Sequence, residues 1–383
     1  MANKKKGDDN ITENVNVKVS PSVKDGLLSD LANILNKSSK DGGKVAFFLD
    51  DQDDPSQITD WISTGSSMLD LAISNRPHGG LPVGRIVEFN GLESTGKSLL
   101  SAHICAETQK KGGKAIVIDT ENSAAPEFWK SLGVDMSSNG LLYIQKETVE
   151  DIFEMMEQAI AHVRKNNPDT LLTIIIDSLA GASTRVEMES EHGKDGYNTG
   201  KAIIISKAMR KIVSMIGRQR VLPVFTNQLR MNLNAMAFGD KYVVSGGKGL
   251  PYAASVRVKL ANLGKLKKGD LIVGNKCKAV VTKNRMGPPF REAEFDIYFD
   301  SGIADYASWL RVLKDNKIID QGGAYYSYNG DKFQSSDFVK MMVERPELKE
   351  ELYLKICDAV IMKYKEPNSV IREDIEVDVS TEE

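Results

Sequence analysis

The chain has 383 residues, of which 41% are hydrophobic and 27% charged, and a formal net charge of −3 at pH 7. This length corresponds to about two to four domains, and the composition is that of a soluble globular protein. No apolar run approaches the ~18 residues that a membrane helix needs. The three cysteines show no CxxC spacing, which argues against a disulfide framework or a zinc site. The sequence therefore predicts a cytoplasmic protein without a membrane partner.

The first 59 residues are predicted to be a disordered start followed by one short helix. Residues 1–20 are polar and carry no hydrophobic period. An apolar stripe at helical spacing follows, formed by Val23, Leu27, Leu28, Leu31, Ile34 and Leu35. A helix this short has little of its own domain to pack on. Packing on its own core and docking on a neighbouring subunit both stay open.

Residues 60–304 alternate β-rich runs with helical stretches and are predicted to form one large domain. The strand candidates are residues 85–89, 114–119, 141–144, 171–177, 221–226, 255–260, 277–282 and 294–299. Helices are predicted after Gly96, across 149–165 and across 200–218. Such alternation predicts an α/β fold, with a mainly parallel sheet flanked by helices on both faces. The last strand candidates have no helices between them, which predicts an antiparallel extension of the sheet.

The C-terminal part is predicted to contain a small domain and a tail. Residues 305–365 indicate a small α+β domain around the aromatic run at 325–328. Residues 366–383 carry seven acidic side chains against the single basic residue Arg372. This charge density predicts a solvated, disordered acidic tail.

One segment matches the phosphate-binding pattern GxxxxGK[ST]. It consists of Gly91, Leu92, Glu93, Ser94, Thr95, Gly96, Lys97 and Ser98. A strand candidate precedes it and a helix follows, which is the context that a P-loop requires. Its glycines let backbone N–H groups point at phosphate oxygens, and the helix N-terminus adds positive potential. We expect Lys97 to neutralise β- and γ-phosphate charge and the Ser98 hydroxyl to bind Mg²⁺.

Two carboxylates are candidates for the chemistry beside this loop. Asp177 ends the apolar run 171–177, as expected for a buried central strand whose tip faces the phosphates. It is predicted to hold Mg²⁺ through water. Glu121 follows the strand candidate 114–119, at the same edge of the sheet. A carboxylate there can polarise the attacking water or accept its proton, although spacing alone leaves a solvated loop acid as an open alternative.

Seven further segments are informative, at residues 62–66, 80–88, 208–211, 227–231, 245–247, 283–285 and 326–328. In their sequence, their order and the distances between them, over roughly residues 60–335, these segments resemble those of the RecA-family recombinases of bacteria and phages. The resemblance implies a RecA-type core and a DNA-dependent ATPase that uses ATP and Mg²⁺. It also implies helical filaments of many copies on single-stranded DNA, pairing with homologous duplex, and a role in DNA repair. Loading proteins and single-strand-binding proteins are the accessory partners expected for such a filament.

The resemblance assigns roles to four residues around the nucleotide. Glu121 falls on the catalytic glutamate of the family. Gln228 falls on the residue that senses the γ-phosphate and passes the signal to the adjoining DNA loop. Lys283 and Arg285 match two cations that reach across the subunit interface to a neighbour's ATP. Such cations would stabilise transition-state charge and make hydrolysis depend on assembly.

Two segments match the DNA-binding loops of the family, at roughly residues 187–200 and 229–248. Glycine-rich segments beside basic residues suit a nucleic-acid backbone, because N–H groups reach phosphates without side-chain bulk. The residues that the resemblance assigns to phosphates are Arg210, Arg230, Gly246 and Gly247. Met231 and Leu233 are predicted to wedge between groups of bases.

Six positions depart from the pattern of the bacterial family, namely Phe128, Phe299, Ala125, Asn232, Ile203 and Pro251. The two phenylalanines stand where tyrosines are usual near adenine, so stacking survives and a phenolic hydrogen bond does not. Ala125 replaces an acid near the adenine amino group. The other three replace basic residues, which predicts weaker or differently arranged DNA binding in a diverged member of the family.

A protein of another class remains an alternative. A RecA-fold regulatory or mediator paralogue would bind ATP and a partner without exchanging strands. The presence of Glu121, Gln228, Lys283, Arg285 and both loops favours the enzyme.

Overall fold

The computed structural model describes residues 26–39, 44–49, 54, 57–122, 124–189, 197–217, 219–231, 242–244 and 246–364. The chain divides into two compact units, Met1–Gln57 and Ile58–Glu383. The first unit contains helix α1 (Leu27–Ser38). Its residue Asn36 accepts hydrogen bonds from the backbone N–H groups of Val45 and Ala46, at 2.7 and 2.8 Å. The predicted helix is thus present in the described part, and the acidic tail at 366–383 lies outside it.

The second unit contains the remaining elements. Its strands are β1 (Trp61–Ile62), β2 (Leu81–Pro82), β3 (Val87–Gly91), β4 (Lys114–Asp119), β5 (Leu141–Gln145), β6 (Leu172–Asp177), β7 (Val221–Met231), β8 (Tyr242–Val244), β9 (Val256–Lys268), β10 (Leu271–Asn284), β11 (Glu292–Tyr298), β12 (Gly302–Ile303), β13 (Asp320–Gly322), β14 (Tyr325–Tyr328) and β15 (Asp331–Gln334). Its helices are α2 (Ser67–Ser74), α3 (Lys97–Lys110), α4 (Pro126–Ser131), α5 (Val149–Asn166), α6 (Arg185–Glu189), α7 (Tyr197–Ile216), α8 (Gly249–Ala253), α9 (Asp305–Asp315), α10 (Ser335–Glu344) and α11 (Pro346–Val360). Every strand and helix predicted between residues 85 and 299 is confirmed by an observed element.

The central sheet has the strand order β12-β11-β10-β9-β3-β7-β6-β4-β5, with β8 paired to β7. The strands from β9 to β5 in this order run parallel, and β10, β11 and β12 continue the sheet antiparallel. The predicted α/β fold with an antiparallel extension is therefore confirmed. It places the carboxyl ends of β3, β4, β6 and β7 along one edge.

Both faces of the central strands of this sheet are buried, each against a different set of helices. Successive residues of a strand point to opposite faces. Ile174 and Ile176 of β6 accordingly pack in a cluster with residues of α5 and α7, whereas Ile175 packs on the other face with residues of α3. Burial on both sides explains why 171–177 is a continuous apolar run rather than an alternating one.

The C-terminal region forms the predicted small α+β unit. Strands β13, β14 and β15 make an antiparallel sheet, and Phe333 of that sheet stacks on Phe338 of α10 at 5.7 Å between ring centroids. Trp309 of α9 donates to Asp305, which also accepts a backbone hydrogen bond from Ser67 at the start of α2. These contacts attach the C-terminal helices to the core.

Several features differ from the prediction. Strands β9 and β10 have 13 and 14 residues, about twice the predicted lengths. The half of β9 next to the hairpin contains the exposed residues Lys265, Lys267 and Lys268, and the corresponding half of β10 contains Gly274 and Asn275, so a criterion based on apolar runs stops too early. Helix α2 was missed because it is short and buried from Met68 to Ser74, which leaves no polar stripe facing solvent. The short helices α4, α6 and α8 were not predicted either. Within the described residues, no helix has both the length and the apolar content needed to cross a bilayer.

Candidate functional site

Polar or flexible residues stand at the carboxyl edge of the parallel strands. Gly91 of β3 pairs in register with Gln228 of β7, and Asp119 of β4 pairs with Asp177 of β6. In open α/β sheets, ligands bind outside the carboxyl ends of the strands. This edge is therefore the candidate site, and the predicted P-loop lies on it.

The P-loop turns sharply between β3 and α3. The ammonium group of Lys97 donates to the carbonyl oxygens of Gly91 and Leu92, at 3.1 and 2.7 Å. Gly96 has a φ of 93°, and a Cβ atom there would lie 2.7 Å from the side chain of Ile297. Only glycine satisfies both conditions without a shift of the neighbouring side chain. The loop thus curls ahead of the helix N-terminus, as anion binding by backbone N–H groups requires.

Contacts within the motif and from β10 support this turn. The Thr95 hydroxyl donates to the Leu92 carbonyl at 2.9 Å. From β10, the Asn275 amide donates to the Ser94 carbonyl at 3.3 Å, and the Cys277 thiol donates to the Thr95 carbonyl at 3.4 Å. Sequence reasoning missed both β10 residues, because nothing in their local pattern signals a contact with the P-loop.

Lys97 is surrounded by acidic groups. Burial lowers the pKa of its ammonium group, and the charges of Asp177, Glu121 and Glu93 oppose that change. The lysine is therefore a cation held between carboxylates at a helix N-terminus. Such a group is suited to attract and neutralise phosphate oxygens.

The two predicted Mg²⁺ ligands lie side by side. Asp177 is 8% exposed and accepts a hydrogen bond from the Thr226 hydroxyl at 2.6 Å. Burial raises the pKa of this carboxyl, and hydrogen bonds from Thr226 and Ser98 act in the opposite direction. Mg²⁺ is usually held by one or two protein oxygens, waters and substrate phosphates. The Ser98–Asp177 pair beside the P-loop fits that requirement.

Glu121 lies where three strand ends meet. Its Oε1 atom accepts hydrogen bonds from the Ser178 hydroxyl at 2.7 Å and from the Gln228 side chain at 2.9 Å. Ser178 follows Asp177 directly, and the peptide bond between them is cis. The structure thus brings together Glu121 and Gln228, which are 107 residues apart in the sequence. Two donors orient the carboxylate beside the P-loop lysine.

A second carboxylate, Asp119, positions the loop that carries Glu121. It is 2% exposed and accepts hydrogen bonds from the backbone N–H groups of Glu121 and Ala124 and from the Tyr143 hydroxyl, at 2.8, 3.1 and 2.8 Å. Sequence analysis did not single out this residue. An acid at the end of an apolar strand is a usable signal, and it is the signal that identified Asp177.

The two aromatic residues predicted near adenine lie on different elements. Phe128 belongs to α4 and packs partly buried against the core. Phe299 follows β11, is 56% exposed, and donates its backbone N–H to the Val273 carbonyl at 3.0 Å. Ala125 is the N-cap residue of α4. Stacking of either ring on a base stays a prediction.

The two cations predicted to act across an interface stand at the opposite edge of the sheet. Lys283 pairs in register with Arg257, which pairs with Glu88, three residues before Gly91. At ~3.3 Å per residue this is about 10 Å below the P-loop edge. The Lys283 ammonium group donates to the carbonyls of two α8 residues, at 2.8 and 3.0 Å. Arg285 lies two residues farther along the chain and is exposed.

The same end of the sheet carries a buried ion pair. Glu88 is fully buried and accepts a hydrogen bond from Arg257 at 2.5 Å. Burial lowers the pKa of Lys283 most, followed by the positive charges of Arg285 and Arg257. The amino edge therefore carries three cations and one buried carboxylate, and Arg257 pairs with that carboxylate.

The predicted DNA contacts lie on α7, on β7 and after β8. Arg210 and Arg230 are exposed. Gly246 and Gly247 have φ values of 91° and 74°, and Cβ atoms there would lie 2.9 and 2.7 Å from side chains of α7. Met231 is the last residue of β7. Leu233, Asn232 and most of both predicted loops (190–196, 232–241 and 245) lie outside the described residues.

Comparisons with known proteins show the family of this chain. The family model described as the RecA N-terminal domain matches residues 29–304. Protein RecA of Geobacter metallireducens is 37% identical over 329 residues, which cover 85% of this chain and 92% of that protein. Protein RecA of Allochromatium vinosum is 38% identical over 304 residues, which cover 79% and 84%. The chain therefore belongs to the RecA family of recombinases.

Proposed function

We propose that this protein is a DNA-dependent ATPase that forms helical filaments on single-stranded DNA and exchanges strands with homologous duplex. The observation that carries the proposal is the convergence of Glu121 and Gln228 at 2.9 Å beside the P-loop. Glu121, which would orient the water, is hydrogen-bonded to Gln228 on β7, the strand that leads into the second predicted DNA loop. This hydrogen bond would couple the nucleotide site to the DNA site. A protein that only binds nucleotide has no need of that coupling.

Each residue at the carboxyl edge has a task in hydrolysis. The P-loop N–H groups and Lys97 bind the phosphates, and Ser98 and Asp177 hold Mg²⁺, which would neutralise the charge developing on the phosphate oxygens. Glu121 accepts a proton from the attacking water or polarises it. The hydrogen bonds from Ser178 and Gln228 keep its carboxylate in one orientation, which such positioning requires.

The position of Lys283 and Arg285 supports hydrolysis that depends on assembly. Both lie at the opposite edge of the sheet from the P-loop of their own chain. They would therefore reach only the nucleotide of a neighbouring copy, in a head-to-tail contact that propagates into a filament. There they would stabilise transition-state charge, as arginine fingers do.

One strand connects nucleotide and DNA. Gln228 and Arg230 both belong to β7 and, two residues apart, point to the same face. A change in the hydrogen bond of Gln228 would move the start of the second predicted DNA loop. In the filament, base pairing between the held strand and a duplex would test homology, while the protein supplies backbone contacts and geometry.

The alternative is a RecA-fold mediator or regulatory protein without strand exchange. The two are distinguished by the ATPase rate with and without single-stranded DNA. We expect a clear increase in kcat on adding DNA, together with filaments in electron micrographs. A rate unaffected by DNA would reject the proposal in favour of the mediator.

A further inference from the structure

Lys201 is a buried lysine in the first turns of α7. Its side chain is 7% exposed, and its ammonium group donates to the carbonyl oxygens of Ala182 and, at 3.3 Å, of Ala180. Burial lowers the pKa of this lysine most, the charge of Arg230 lowers it too, and the charge of Glu187 raises it. A buried cation is costly unless it is hydrogen-bonded. The hydrogen bonds to the two carbonyls therefore fix the position of α7 against the segment that contains residues 178–182.

The two carbonyls flank a residue that touches the catalytic carboxylate. Gly181 lies between Ala180 and Ala182, and a Cβ atom on it would stand 3.0 Å from Cγ and 3.1 Å from Oε1 of Glu121. The segment 178–182, which contains Gly181, begins with Ser178, and the Ser178 hydroxyl donates to Glu121. Any displacement of this segment therefore changes the surroundings of Glu121.

At its other side, the beginning of α7 meets the predicted DNA loops. The first predicted loop, at 187–200, has helical ends, because residues 187–189 belong to α6 and residues 197–200 to α7. Gly247 of the second loop lies so close that a Cβ atom on it would be 2.7 Å from the Ala202 side chain, next to Lys201. The first turns of α7 thus contact the segment that packs on Glu121 and Gly247 of the second predicted DNA loop.

We propose that Lys201 is a positioning residue that couples DNA binding to the orientation of Glu121. The lysine attaches the start of α7 to the segment that packs on the carboxylate, so a shift of α7 when DNA binds moves that segment with it. Lys201 does not touch nucleotide or DNA in this account. The proposal rests on the proposed function, since it assumes a DNA-stimulated ATPase.

The test compares Lys201→Met with Lys207→Met. Lys207 is exposed on the same helix, so its variant carries the same change in charge without the buried contacts. We expect Lys201→Met to lower kcat with single-stranded DNA about tenfold, the equivalent of one charge-assisted hydrogen bond. KM for ATP and the affinity for single-stranded DNA should change by less than about threefold, because Lys201 touches neither ligand. Lys207→Met should keep the wild-type kcat at saturating single-stranded DNA, although its affinity for DNA can fall because Lys207 lies on the same face of α7 as Arg210.

A double-mutant cycle with Ser178→Ala separates positioning from stability. If Lys201 acts through the segment that orients Glu121, the kcat effects of Lys201→Met and Ser178→Ala should be clearly non-additive. Additive effects would overturn the proposal. Lys201→Gln keeps an amide group that can donate to one of the carbonyls, so its kcat should lie between those of the wild type and Lys201→Met. This variant also provides the test if Lys201→Met does not fold. Failure of both variants to fold would assign Lys201 to stability alone and reject the coupling.

The experiment distinguishes this inference from the function on which it rests. A wild-type protein without DNA stimulation would reject the proposed function. A stimulated wild type whose Lys201→Met variant matches Lys207→Met would reject the role of Lys201 only.

Discussion

The two edges of the central sheet differ in the charged groups that they carry. At the carboxyl edge, Lys97, Asp177 and Glu121 are fixed by hydrogen bonds from the same chain. At the amino edge, Lys283 and Arg285 stand beside Arg257, whose charge is paired with the buried Glu88, and Arg285 is exposed. The first edge has the groups that we propose to bind a nucleotide and orient a water. The second has positive charge and no phosphate-binding loop.

If Lys283 and Arg285 act on the ATP of a neighbouring copy, as we propose, the catalytic machinery is divided between the ends of one molecule. In such an assembly, the cations of each copy would lie against the P-loop of the next copy. Each contact between two copies would then complete one catalytic site. Heterologous contacts of this kind grow into rings or filaments.

Removal of the P-loop lysine should have the largest effect. Lys97→Ala leaves phosphate charge uncompensated, and the loss of two charge-assisted hydrogen bonds predicts an ATP affinity lower by about 100-fold. ATP-dependent assembly should be lost as well. Equilibrium binding of a fluorescent ATP analogue and light scattering check both results. Lys110→Ala, at the exposed end of the same helix, is the matched control, and filaments formed by Lys97→Ala in ATP would contradict the P-loop assignment.

Replacing the Glu121 carboxylate with a neutral amide should lower the rate of ATP hydrolysis without lowering the affinity for ATP. Glu121→Gln keeps an oxygen that accepts from Ser178 and Gln228 but cannot take up a proton, so kcat should fall about 10²–10⁴-fold. ATP affinity should change by less than about threefold, and filaments should persist longer. Steady-state kinetics with a binding titration measure this, and Glu127→Gln on α4 serves as the control. Equal losses of binding and turnover would make Glu121 a structural residue.

The helix after the P-loop should give the protein a measurable pH dependence. His103 of α3 accepts a hydrogen bond from the backbone N–H of Ile303 at 3.2 Å, and burial lowers its pKa to about 4. The unfolded chain therefore binds a proton before the folded one does, and stability is lost as pH falls from about 6.5 towards 4. Urea unfolding at pH 7.5 and pH 5 should show that the wild type loses about 2 kcal/mol more over this interval than a His103→Gln variant, a difference in which the contributions of other titrating groups cancel. Equal losses would exclude His103 as the source.

The acidic tail should have the smallest effect, because it acts through screened charge. Residues 366–383 lie outside the described part, and their seven acids are expected to compete with DNA phosphates for basic surface on the C-terminal part. Truncation after Lys365 should tighten duplex binding at low salt. The gain should shrink as the Debye length falls from ~30 Å at 0.01 M to ~8 Å at 0.15 M. Duplex affinity across a salt series decides this, with a full-length chain carrying amides in place of the acids as the control. Identical duplex affinities of the truncated and intact chains at every salt concentration would show that the tail does not compete with DNA and contributes only to solubility.

Much of the sheet and the core of the site could be predicted from the sequence. The apolar runs before Asp119 and Asp177 indicated buried strands, and parallel strands bring such ends to one edge. The P-loop pattern fixed the position of Lys97 and Ser98. The meeting of Glu121 with Gln228 required the resemblance to the RecA family, since no spacing in the sequence relates the two residues.

The supporting contacts could not be predicted, because they join residues without a local signal. Asn275 and Cys277 reach the P-loop from β10, and their positions depend on the length of a lysine-rich hairpin that apolar patterning underestimates. Lys201 reads as an ordinary charge at the start of a helix. Its burial is decided by the packing of α7 on the Ala180–Ala182 segment, which only the tertiary structure reveals.

The most direct test of the divided site mixes two inactive variants. Glu121→Gln lacks the group at the carboxyl edge, and Arg285→Ala lacks a cation at the amino edge. Each alone should have little DNA-stimulated ATPase activity. In an equimolar mixture, about a quarter of the head-to-tail contacts would join an intact Glu121 to an intact Arg285, and activity should recover towards that fraction of the wild-type rate. A mixture as inactive as its components would show that Arg285 serves its own nucleotide, which would contradict the account.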